Sequence, residues 1–400
     1  MTVSTSRPAH PFRWFTRRVA VVAAALIACI SLTAGSATAT GSFSPTNLPR
    51  PTSRDIRLNQ LQVIGSHNSY HIEPNDAEFG LISLVAGASA AGALQYTHPS
   101  LGEQFSHEHV RQIELDVYAD PDGGRYATPL IRQFTGQPAE FDPTMKLPGT
   151  KVLHISDIDY RSNCVSFVAC LKTVRTWSHW HPRHVPIAIL VEFKDTLDVP
   201  IPGVPLVTPL PWTRDRMLDL EKEIRSVFPR RELITPDSLR RPGQTLERSV
   251  LRHGWHTLAA SRGKVMFLMD NAGAYRDRYV EGNPSLQGRI LFTNSTPGQQ
   301  DAAFIERNDP VGSAADIQAL VKQGYVVRTR ADADTVQARS GDTTDRDAAL
   351  ADGAQWVSTD YPVPGIASRF GTDYFAALPN QGAARCNPVT APPRCRVKSP

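Results

Sequence analysis

Eight short apolar runs, each closing on polar or charged side chains, constrain this chain more than any other feature. They are Leu61–His67, Arg111–Tyr118, Lys151–Ser156, Pro186–Phe193, Lys264–Asp270, Arg289–Thr293, Tyr325–Arg330 and Gln355–Asp360. Helix-length stretches lie between several of them. Ser166–His181 follows the third run, Thr213–Phe228 follows the fourth, and Ala314–Gln323 precedes the seventh with Gly324 as its stop. Strands alternating with helices pair in parallel and are covered on both faces. Eight such units predict a closed (β/α)8 barrel of the TIM type, with a doubly wound open sheet as the structural alternative. No internal repeat, low-complexity block or charge run divides the chain, so a single domain with long loops on one face is expected.

A barrel predicts where chemistry should sit, because catalytic groups gather at the carboxyl ends of its strands. The first run ends in Gly65-Ser66 and delivers His67 and Asn68 side by side. The second ends in Glu114-Leu-Asp116, the third in His154, and the fourth in Glu192-Phe-Lys194-Asp195. The fifth ends in Asp270-Asn271, the seventh in Arg328-Thr-Arg330 and the eighth in Asp360. Two insertions enlarge the same face. Residues 72–100 contain an uncharged small-residue stretch, read as a helix packed on the barrel. Residues 196–211 are apolar and too proline-rich for a helix or central strand, and could form a packed flap or a lipid-facing loop.

Side chains alternate along a strand, so Glu114 and Asp116 point to one face. With Asn68 and Glu192 they make a set of hard oxygen ligands, three of them anionic, which suits calcium. Zinc would want more nitrogen or sulfur. The structural alternative is that Glu114 and Asp116 pair with Arg328 or Arg330 in the barrel mouth. His67 and His154 would flank the metal, and two imidazoles can work as base and acid near neutral pH. Lys194, Asp270, Arg328 and Arg330 are candidates for holding the substrate. His71, His98, His107, His109, His179, His181 and His184 read as structural. Together these residues are equipment for cleaving a phosphodiester.

Gly65-Ser-His-Asn-Ser-Tyr70, Ile113-Glu-Leu-Asp-Val117 and Val152-Leu-His154 resemble the phosphatidylinositol-specific phospholipase C superfamily. Val185-Pro-Ile-Ala-Ile-Leu-Val-Glu-Phe-Lys194, Ile234-Thr-Pro-Asp237 and Trp356-Val-Ser-Thr-Asp-Tyr-Pro362 are similar to its secreted bacterial, calcium-dependent members. The resemblance implies His67 as general base, His154 as general acid, and calcium on Asn68, Glu114, Asp116 and Glu192. It also implies attack of the inositol 2-hydroxyl on its own 1-phosphate, giving diacylglycerol and inositol 1,2-cyclic phosphate. The assignment of His154 requires Tyr118–Thr150 to be a loop. Glycerophosphodiester phosphodiesterases share a similar order of motifs but usually carry Arg where this chain has Asn68. A secreted, non-catalytic phospholipid-binding barrel is the remaining alternative.

The ends of the chain bear on compartment. Residues 1–39 hold Arg7, Arg13, Arg17 and Arg18, no acidic residue, an apolar run from Val19 to Leu32, and Ala37-Thr-Ala39. That is the pattern of a secretory signal, too short in its apolar part to span a membrane. Its removal leaves 39 basic and 39 acidic residues, which excludes a nucleic-acid-binding charge. Residues 40–57 read as a leader, 58–378 as the barrel and 379–400 as an irregular, proline-rich tail. Cys164, Cys170, Cys386 and Cys395 remain, and their proximity favours local 164–170 and 386–395 bridges over a zinc site. The expected protein is a secreted monomer that meets a phosphatidylinositol-like substrate and, transiently, a membrane surface.

Overall fold

A computed structural model of the protein describes residues 51–52, 54–197 and 203–397. The expected export signal and most of the leader lie outside these residues. The strands are β1 (Leu61–Ser66), β2 (Gln112–Tyr118), β3 (Lys151–Val152), β4 (Ile187–Phe193), β5 (Leu233–Ile234) and β6 (Val265–Met269). They continue as β7 (Leu291–Thr293), β8 (Phe304–Glu306), β9 (Val326–Arg330), β10 (Trp356–Thr359) and β11 (Arg385–Cys386). Parallel pairing runs from β1 through β2, β4 and β6 to β7 on one arm. On the other it runs from β1 through β10 and β9 to β8. A parallel bridge between Asn294, just beyond β7, and Phe304 joins the arms and closes a TIM-type barrel. The continuous apolar reading of β4, Ile-Ala-Ile-Leu-Val, follows from burial on both faces.

The expected helices form at the expected places. Ser166 caps Phe167–Trp180 by accepting from the Ala169 amide, and Cys170, Leu171, Val174 and Trp177 bury one stripe. Thr213 does the same for Arg214–Val227, which buries Met217, Leu220, Ile224 and Val227. Gly324 ends Ala314–Gln323 at φ 114°, a conformation that side-chain-bearing residues resist.

Two strand assignments differ from expectation. Lys151–Ser156 is not a barrel stave: only Lys151–Val152 is extended, and it pairs antiparallel with the end of β2, Val117 opposite Val152. Parallel return needs a crossover, usually a helix laid on the sheet. The connection from 119 to 150 holds only the short helix Leu130–Phe134 and a 3-10 turn, and it folds over the mouth instead. The missing stave is β8, three residues long and therefore hard to see in a pattern. β5 is an additional two-residue strand on β6.

Both local disulfides are present, Cys164–Cys170 and Cys386–Cys395. The tail is more ordered than expected, because Arg385–Cys386 pairs antiparallel with the start of β1. Among the described residues no helix is long and apolar enough to cross a membrane.

Candidate active site

Register explains the acidic cluster. Asp116 on β2 lies directly beside Glu192 on β4 in the parallel ladder, and Glu114 is two residues earlier on the same face. Ligand oxygens of Glu114, Asp116 and Glu192 all come within 4.8 Å of one another. β1 and β2 meet at Gly65 and Gln112, where a Cβ on Gly65 would fall 1.8 Å from Gln112 Oε1 and displace that buried side chain. The chain then turns at Asn68, whose φ of 41° is left-handed. Backbone and side chain of Ser69 both bond Glu114's main chain, which ties the turn that carries Asn68 to the strand that bears Glu114.

These groups fit a hard cation. Both carboxylate oxygens of Asp116 and the Oδ1 of Asn68 are buried without a hydrogen-bond partner, a state that costs free energy unless something else satisfies it. Burial and the neighbouring Glu192 push the Asp116 carboxyl well up. Lys194 Nζ lies 3.3 Å from Glu192 and 3.9 Å from Asp116. Arg328 is 2.5 Å from Glu114 Oε2, so the pairing weighed against a metal role is present for Glu114. It leaves Glu114 Oε1 on the side of His67, 3.8 Å from Nε2.

His67 and His154 are each oriented by a buried aspartate. His67 Nδ1 lies 2.9 Å from Asp360 Oδ1, so an Nδ1–H donated there leaves Nε2 as the basic nitrogen. Burial and the Arg330 guanidinium lower the His67 pKa well below its usual range, keeping it neutral at pH 7. His154 leaves β3 on a five-residue turn closed by the Ile155–Asp159 bridge, and its Nδ1 bonds Asp159 Oδ2 at 2.7 Å. The same oxygen takes His71 Nε2 at 2.8 Å. Burial opposes charge on His71, yet the Asp159 carboxylate outweighs it and raises the pKa. Asp159 is correspondingly lowered against its burial by His71 and His154.

Of the four candidate substrate residues, Lys194 and Asp270 directly follow β4 and β6, and Arg328 and Arg330 are on β9. Arg330 lies 3.7 Å from Asp360 and donates to the Asp332 carbonyl. Arg328 is buried and also donates to Asn308 and Ser358. Asp270 sits against Glu306, whose carboxyl is driven well up by burial and by Asp270. The sequence reading missed Glu306 because it rides on the unrecognised β8. It missed Asp159 because nothing in Ile155-Ser-Asp-Ile-Asp159 separates an orienting aspartate from turn residues. His71, taken as structural, is part of the His154 support.

His98 braces the other imidazole from behind, its Nε2 2.9 Å from the His67 carbonyl oxygen. Burial lowers it to about 4, and burial lowers His184 to about 4 as well. Both are neutral in the folded protein, whereas an unfolded histidine takes a proton near its ordinary 6.5. Stability is therefore expected to fall as pH drops from about 6.5 to about 4, by roughly 1.4 kcal/mol per pH unit for each group. Urea unfolding of wild type and His184→Gln between pH 7 and 4.5 checks this. The variant should show a shallower loss, and an identical slope would contradict it.

Residues 56–388 match the family described as calcium-dependent phosphoinositide phospholipase C. The chain belongs to that family. It is accordingly a phosphodiesterase of the calcium-dependent phosphoinositide phospholipase C type. No curated protein matches the sequence. Among solved structures, a calcium-dependent phosphoinositol-specific phospholipase C from a Gram-negative Pseudomonas species, with myoinositol, is 16% identical. The alignment covers 84% of this chain and 96% of that one, with a TM-score of 0.49. A calcium-dependent phosphatidylinositol-specific phospholipase C from Streptomyces antibioticus is 14% identical, covers 77% and 95%, and has a TM-score of 0.48. An Agrobacterium tumefaciens protein described as a putative glycerophosphoryl diester phosphodiesterase is 11% identical, covers 75% and 94%, and has a TM-score of 0.32.

Proposed function

We propose that this phospholipase C cleaves the glycerol–phosphate bond of phosphatidylinositol, using the inositol 2-hydroxyl as nucleophile. The observation that carries this is one acidic, hard-oxygen cluster reached by His67 through Glu114, with a second imidazole, His154, near enough to act on His67 electrostatically, and each ring held through Nδ1 by a buried aspartate. His67 Nε2 takes the proton of the 2-hydroxyl as its oxygen bonds to phosphorus. The phosphorus–oxygen bond to glycerol breaks, and His154 Nε2 delivers a proton to the departing oxygen. Diacylglycerol leaves and inositol 1,2-cyclic phosphate remains, later opened by water to inositol 1-phosphate. Asn68, Glu114, Asp116 and Glu192 would hold calcium, which supplies positive charge to the phosphate oxygen and acidifies the nucleophilic hydroxyl. Asp360 and Asp159 are positioning residues that fix ring orientation and tautomer.

Lys194 and Arg330 supply the remaining positive charge at the mouth, and Asp270 accepts from substrate hydroxyls. Two disulfides fit an oxidising compartment, which supports export through residues 1–39; the exported enzyme then acts as a monomer at lipid surfaces. Phosphorus NMR of phosphatidylinositol digestion, with calcium and with a chelator, tests the reading. A cyclic phosphate that forms only with calcium is expected. Cleavage of glycerophosphoinositol without action on the intact lipid would move the protein to the glycerophosphodiester reaction, and no turnover would leave a lipid-binding barrel.

A further inference from the structure

The two insertions do more than lengthen the rim. Helices Asp76–Ala86 and Ala88–Ala93, from the loop after β1, face helix Leu130–Phe134 and Val204 and Leu206 from the loop after β4. Between them runs a groove of about 290 Å³, close to the lower end of the ~300–1,000 Å³ typical of small-molecule sites. Its lining is apolar apart from Asp157, whose carboxylate is spent on the chain itself. Asp157 accepts from the amides of Leu130 and Val207, tying two of the walls together. Val85 and Phe134, 51% and 67% exposed, stand at its edge. A neighbouring helix residue, Leu84, is 83% exposed. Monomeric proteins rarely leave such continuous apolar surface without use.

The fourth wall identifies the occupant. Ile155 and Ile158 line the groove, and they belong to the turn that begins at His154 and closes at Asp159. The imidazole that protonates the departing oxygen and the wall of the groove thus belong to one six-residue stretch, His154 to Asp159. The departing oxygen belongs to diacylglycerol, so whatever lies beyond it on that side carries acyl chains. We infer that this groove seats one acyl chain of the lipid substrate, on the leaving-group side of the site. The inference rests on the roles given above to His154 and to phosphatidylinositol. It adds that the enzyme grips the lipid's tail as well as its headgroup, so chain length affects turnover of single, dispersed lipid molecules.

The test uses dibutyroyl- and dihexanoyl-phosphatidylinositol, both below the concentration at which they aggregate, together with inositol nitrophenyl phosphate, which has no chain. Wild type should show kcat/KM about tenfold higher on the dihexanoyl lipid, since two more methylenes of the seated chain leave water. Ala90 lines the groove from an exposed position, and Ala90→Trp should plug it. The ratio of the two lipid rates should then fall below about twofold. Taking the ratio within each variant cancels any loss of folded enzyme, and Ala86→Trp, from the other helix, replaces Ala90→Trp if that variant is inactive. A wild-type ratio near one would overturn the inference, and would mean that the apolar rim acts only on aggregated lipid. So would a tenfold ratio that survives both tryptophans. If wild type fails to cleave even the nitrophenyl diester, the proposed reaction falls instead, which separates the two failures.

Discussion

His154→Ala should slow phosphatidylinositol cleavage by about 10²–10⁴-fold, the usual contribution of a general acid, and most of that loss should return when the leaving group is nitrophenolate. In the proposed reaction the glycerol oxygen would depart as a poor alkoxide unless protonated, whereas nitrophenolate needs no proton. His67→Ala should be slowed to a similar degree on both substrates, because the 2-hydroxyl must lose its proton whatever departs. The structure gives the two rings matching supports, Asp360 behind His67 and Asp159 behind His154, each through Nδ1. Their difference lies in position: His67 faces Glu114, and His154 sits on the turn that borders the apolar groove. Both variants should still bind calcium, since neither imidazole belongs to the proposed ligand set. Rates of both variants on both substrates at saturating calcium decide the matter. Equal rescue of the two, or rescue of His67→Ala alone, would reverse or abolish these roles.

The legibility of this site follows strand by strand. Glu114, Asp116 and Glu192 could be placed together because period-two alternation fixes which residues share a face, and β2 and β4 pair in a register that sets Asp116 beside Glu192. His67 and Asp360 ended adjacent strands, and β1 pairs with β10. His154 was placed at the barrel mouth for a partly mistaken reason. The run that carries it is not a stave, but the short antiparallel β3 still delivers it to the same end of the barrel. What stayed hidden depends on tertiary placement without a periodic signal. Asp159 and His71 meet His154 only because a turn folds back on itself, and Glu306 arrives on a strand of three residues. The groove could not be read at all, because its walls come from four segments far apart in the sequence.

Asp116→Asn should weaken calcium binding on the order of 10²-fold, because ligand charge helps set affinity for this ion, and Glu192→Gln should do so to a comparable degree. Asp116 is the more telling of the two. It is fully buried, both of its oxygens lack hydrogen-bond partners, and burial together with Glu192 drives its carboxyl well up. A carboxylate held there without a cation is an electrostatic liability that Lys194, 3.9 Å away, only partly offsets. Neutralising it should therefore leave the calcium-free protein as stable as wild type or more so, while removing what calcium adds. For wild type at 100 times its dissociation constant that addition is about 2.7 kcal/mol, visible as a calcium-dependent rise in Tm. The expected pattern in Asp116→Asn is an undiminished Tm with a chelator and little rise on adding calcium at the same concentration. Calorimetric titration gives the affinities directly, without any turnover. Wild-type affinity in both variants would remove Asp116 and Glu192 from the ligand set. A Tm that falls with the chelator alone would mean that Asp116 holds the fold rather than the ion.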